Sequence, residues 1–124
     1  MSNLRTRSEE AHRKQVEFTI ADIAKFLQDA LGQKLVAYMA NVSDSKTVSQ
    51  WISHAHQPRP ESEVRLRAAF QVFHLLQDEE SPHTVRAWLI GMNPQLEDVS
   101  PAQAIRDGRL EDVWVAAKAY MAGG

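Results

Sequence analysis

A chain of 124 residues, 44% hydrophobic and 24% charged, carries enough apolar matter for one core and too little charge to remain unfolded. Its 14 basic and 16 acidic residues leave a formal net charge of −2, which excludes a protein that holds nucleic acid by bulk charge alone. With no cysteine in the sequence, disulfides, thiolate metal sites and a cysteine nucleophile are excluded as well.

Residues 1–18 are charged, lack an apolar stripe and read as a flexible arm. They show no export signal, and no apolar run approaches the length of a membrane span. A cytoplasmic protein is the expectation. Helical order is expected from Thr19, an N-cap with Asp22 in the capping-box position. Ile20, Ile23, Ala24, Leu27 and Leu31 follow at helical spacing, and Gly32 stops the helix. A second helix runs from Gln33 to about Asn41, with Leu35, Val36 and Met39 facing inward. After the polar turn Val42-Ser43-Asp44-Ser45, Ser43 or Asp44 can cap a third helix. Its stripe is Val48, Trp51, Ile52 and Ala55, and Pro58-Arg59-Pro60 ends it.

A fourth helix is predicted from about Glu61 to Gln77, burying Leu66, Ala69, Phe70, Phe73 and Leu76. Ser81-Pro82 and Ser100-Pro101 each open a short helix with a capping serine and a proline. These helices stop at Gly91 and Gly108, and Asn93-Pro94-Gln95-Leu96 forms a turn between them. The last helix, about Arg109 to Ala122, carries Leu110, Val113, Trp114, Ala117, Tyr120 and Met121. No run alternates long enough for a strand, so the fold is expected to be all-α, with about seven helices. Residues 19–78 form one region and 79–124 a second, smaller one. Residues 1–70 hold ten basic and eight acidic groups, whereas 71–124 hold four and eight. Two surfaces with different partners are one reading of that split; chance is the other.

Residues 33–57 have the pattern of a helix-turn-helix. At about 100° per residue, Lys46, Gln50, Ser53 and Gln57 fall opposite the apolar stripe, with Thr47, Ser49 and His54 flanking. This face has no acid. It offers glutamine for adenine, serine and threonine for adaptable contacts, and lysine for guanine or phosphate. Gln33 and Lys34 open the preceding helix, where free N–H groups favour a phosphate, and Arg59 lies within reach of a DNA backbone. The DNA-binding candidates are therefore Gln33, Lys34, Lys46, Thr47, Ser49, Gln50, Ser53, His54 and Arg59. The alternative is a solvated polar face on a helical core.

The same stretch resembles the Xre-type helix-turn-helix. Val36-Ala37, Asn41-Val42-Ser43, Thr47-Val48-Ser49 and Trp51 stand where that family usually has Leu-Ala, Gly-Val-Ser, Thr-Val-Ser and Trp. Asn41 replaces the turn glycine, and asparagine tolerates the left-handed conformation. One extra residue separates Ser43 from Thr47. His54 and Ala55 replace the glycine usual after the tryptophan, which predicts a longer recognition helix. Residues 85–96, then Ser100-Pro101 and Ala104-Ile105, resemble the toxin-binding domain of Xre/MbcA/ParS-type antitoxins. The shared order is Trp88, the Asn93-Pro94-x-Leu96 turn, Pro101 and a closing amphipathic helix.

The resemblance implies an N-terminal Xre-like bundle followed by a small toxin-binding domain. It implies an antitoxin that binds and neutralises a RES-domain, NAD-degrading toxin and represses its own operon, as a homodimer or larger complex. A stand-alone transcriptional regulator is the alternative. Trp88, Asn93, Pro94, Leu96 and Pro101 read first as architecture. The candidates for touching a toxin are Trp114, Lys118, Tyr120 and Met121, together with the terminal glycines. Trp114 and Tyr120 could instead be core. Metal and cofactor sites are not expected: on one helix His54 and His56 would point about 200° apart. No nucleophile or phosphate-loop motif is present, so enzymatic activity is not expected.

Overall fold

The computed structural model describes residues 18–123; the rest of the expected arm and Gly124 lie outside that range. The described residues are all-α. Seven α-helices follow in order: α1 Ile20–Leu31, α2 Gln33–Ala40, α3 Lys46–Ile52, α4 Pro60–Leu76, α5 Pro82–Ile90, α6 Pro101–Arg106 and α7 Leu110–Met121. A single 3-10 turn, Pro94–Leu96, joins α5 to α6.

The local signals act as their chemistry dictates. Oxygens of Thr19, Ser81 and Ser100 accept from the backbone N–H three residues on, at 3.1, 3.2 and 3.0 Å, satisfying donors that a helix start leaves free. Gly32 ends α1 at φ 90°. Asn41 ends α2 in the left-handed region, φ 64°. Asn93 organises the α5–α6 connection. Its Oδ1 accepts from Gln95 N–H, its carbonyl accepts from Leu96 and Asp98, and its own N–H donates to Val99. Leu96 and Pro101 are buried beside it.

One hydrophobic cluster runs through both regions of the chain. α4 is its spine: it packs on α1, α2, α6 and α7 and buries Leu66, Phe70, Phe73 and Leu76. Phe26 of α1 stands edge-on to Phe70 and Phe73, at 5.3 and 5.2 Å between ring centroids. Phe18, expected in the arm, also meets Phe70 edge-on at 5.7 Å, and its carbonyl accepts from Arg67. Ser62 is buried, and its hydroxyl donates to the Ala40 carbonyl at 2.8 Å. It thereby satisfies an acceptor at the C-terminus of α2 that the helix cannot pair.

The third helix differs from its expected form. It ends at Ile52, and Ala55 is exposed rather than buried. The cause is His54, which takes φ 65° and turns the chain off the helix axis. His54 N–H donates back to the Trp51 carbonyl and His56 N–H to that of Gln50. The third helix is thus shorter than the missing glycine suggested, with a histidine supplying the left-handed turn. His54 and His56 are consequently not on the helix at all.

Two stability outcomes follow. Trp51 is 3% exposed, and truncating a buried aromatic costs about 3–5 kcal/mol. Trp51→Ala is expected to lower the thermal midpoint by more than about 10 °C. His54 is exposed and pays a left-handed penalty that glycine avoids. His54→Gly is expected to stabilise by about 0.5–1 kcal/mol and His54→Val to destabilise, as read by denaturant titration.

Candidate nucleic-acid interface and partner surface

The seven residues of α3 divide cleanly by face. Val48 and Trp51 are buried, holding α3 against α1 and α2. Lys46 and Gln50 are exposed on the opposite face, Ser49 is exposed on its flank, and Ser53, the C-cap, is exposed just beyond the last turn. Thr47 is half-buried on the flank. The Asp44 carboxylate accepts from Lys46 N–H at 2.9 Å and starts the helix, and Asp44 is the only acid between residues 33 and 59.

The hydroxyls on this face are not equivalent. Gln33, the first residue of α2, donates its side-chain amide to Ser49 Oγ, so the opening of α2 is tied to the outer face of α3. Ser53 turns its hydroxyl back to the Gln50 carbonyl at 3.3 Å. Gln50 and Lys46 therefore remain the long side chains that project from this face. Gln50 and Thr47 also line a groove of about 440 Å³ with Arg59, which brings the three together. Glu61, from the first turn of α4, enters the same groove and sets a carboxylate beside the acid-free face of α3. His54 sits on the corner after α3, outside the helix face. Chemically, the surface presents a glutamine amide for a base edge and cations for phosphates.

Lys34 is separated from that groove. It lines a second concavity, of about 350 Å³, with Tyr38, Ser43, Ser45 and Arg106. Arg106 is the functional candidate that sequence reasoning missed. Its Nη1 donates to the Tyr38 carbonyl at 2.7 Å, and its guanidinium carbon lies 4.7 Å from the Tyr38 ring centroid. The two residues are 68 positions apart, and no local motif connects them.

The partner candidates on α7 diverge. Trp114 and Lys118 border a groove between α4 and α7 of about 470 Å³, with Val64, Ala68 and Leu110. The Lys118 ammonium lies 5.8 Å from the Trp114 ring centroid. Tyr120 faces elsewhere. It meets Trp88 at 6.1 Å and lines a groove with Met92 and Pro94, where Met92 is 77% exposed. Met121 is half-buried against the core. Trp114 and Tyr120 are thus neither fully core nor on one surface. Arg109 organises the acidic end, reaching Glu97 at 2.7 Å and Asp112 at 2.9 Å.

No protein-family model, curated protein or solved structure matches this chain.

The Tyr120 hydroxyl donates to Glu80 Oε1 at 3.0 Å. That hydrogen bond, then desolvation and the carboxylate charge, raises the phenol above its ordinary 10.0. The raised value favours the protonated phenol in the folded state, so its contribution is complete below the unfolded pKa and is lost as pH rises through the folded one. Ultraviolet titration of Glu80→Gln is expected to show Tyr120 ionising at lower pH than in the parent, because the hydrogen bond to a charged acceptor is gone.

Proposed function

We propose that this protein is an antitoxin: a DNA-binding repressor that reads its operator with the outer face of α3 and neutralises a RES-type, NAD-degrading toxin through its C-terminal third. The observation that carries the DNA half is the acid-free face of Lys46, Ser49, Gln50 and Ser53, anchored from behind by Val48 and Trp51. A short helix fixed on one side and polar on the other is the element that a major groove admits. The net charge of −2 fits a reader whose cations are placed locally.

The toxin half is supported by the resemblance carried by Trp88, Asn93, Pro94, Leu96 and Pro101. Exposed apolar side chains in two grooves, one beside α7 and one beside this motif, favour a protein partner. Val64 is 50% exposed beside Trp114, and Met92 stands in the open beside Trp88 and Tyr120. Aromatic and methionine side chains of this kind are common at interface centres.

The test has two arms. Co-expression with a RES-domain toxin, sought first in the adjacent coding sequence, is expected to restore growth and cellular NAD. Operator binding without toxin neutralisation indicates a stand-alone regulator. In the second arm, Gln50→Ala is expected to relax base preference by about 1–3 kcal/mol at one position, the worth of a bidentate contact. Unchanged operator affinity in both Gln50→Ala and Lys46→Ala would show that α3 is not the reader.

A further inference from the structure

We propose that the concavity between α2 and α6 is a DNA-backbone clamp, in which Arg106 and Lys34 hold a phosphodiester beside the reading helix. The inference rests on the DNA-binding reading above and extends it to a residue of the C-terminal region. The walls of the concavity supply two cations, Lys34 and Arg106, with the hydroxyls of Ser43 and Ser45, and no carboxylate. Ser45 precedes α3 without capping it, so its hydroxyl is not committed to the helix start.

Arg106 is oriented before any ligand arrives. Its Nη1 donates to the Tyr38 carbonyl, its guanidinium lies over the Tyr38 ring, and its own carbonyl accepts from Arg65 Nε at 3.0 Å. A guanidinium has five donors, and the Tyr38 carbonyl takes one of them without neutralising the charge. The planar fork suits two oxygens of one phosphate. Position favours the DNA backbone over a free anion. Lys34 follows Gln33, whose side chain is bonded to Ser49 on the outer face of α3, so the clamp flanks the reading surface.

The experiment is a salt titration of binding to a labelled duplex carrying the DNA upstream of the protein's own coding sequence, with a scrambled duplex alongside. Arg106→Gln removes the charge and keeps a neutral, polar side chain. It is expected to reduce the slope of log affinity against log salt by about 0.9, one phosphate contact, and to weaken both duplexes by the same factor. Arg106→Lys is expected to restore the slope. Ser43→Asp, an exposed turn substitution that adds a repelling charge, is expected to weaken both duplexes. A wild-type protein that binds neither duplex overturns the DNA reading itself. A wild type that binds, with an unchanged slope in folded Arg106→Gln, overturns the clamp alone. If Arg106→Gln does not fold, unchanged affinity in Ser43→Asp has the same meaning. Saturable binding of inorganic phosphate to the DNA-free protein, with no change in slope between variants, marks a free-anion site and also overturns the clamp.

Discussion

The burial of Val48 and Trp51 is the constraint on which the proposed reading surface depends. A helix of seven residues has too few internal hydrogen bonds to persist alone. It exists because those two side chains are held against α1 and α2. The same anchoring leaves Lys46 and Gln50 to project from the opposite face, where Ser49 and Ser53 make the structural contacts. The left-handed residues Asn41 and His54 bracket this unit. One turns the chain out of α2, the other turns it out of α3, and neither is a glycine.

The two regions are mechanically connected. α4 belongs by sequence to the first and packs on α6 and α7 of the second. Ser62 reaches from α4 to the end of α2, and Arg106 reaches from α6 to Tyr38. Arg86 adds a longer contact, 3.4 Å, from α5 to the Leu31 carbonyl. The surface proposed for DNA and the surface proposed for a protein partner are therefore two faces of one core, and α6 touches the first while neighbouring α7. The formal charge of −2 conceals this arrangement, because the cations proposed to meet DNA are few and one of them, Arg106, is positioned by long-range contacts.

Much of this was legible in local chemistry. Thr19, Ser81 and Ser100 announce caps because a hydroxyl at that position has one dominant use. Leu66, Phe70, Phe73 and Leu76 announce the spine through their spacing. Asn41 was readable as the left-handed residue because asparagine tolerates that conformation. His54 was not. A helical stripe continued to Ala55 on paper, and periodicity has no sign for a residue that leaves the helix. Ser62, Arg106 and the divergence of Trp114 from Tyr120 were invisible for another reason: each depends on contacts between elements far apart in the chain. The candidate set around α3 was largely legible, whereas the Glu61 carboxylate in its groove was a product of packing.

The central claim is that the outer face of α3 meets DNA. The most direct measurement is an amide chemical-shift titration of isotope-labelled protein with the upstream duplex. The account predicts that the largest perturbations fall at Gln33, Lys34 and residues 46–53, with a smaller set at Arg106. Perturbations confined to α5 and α7, or none at saturating duplex, would contradict it.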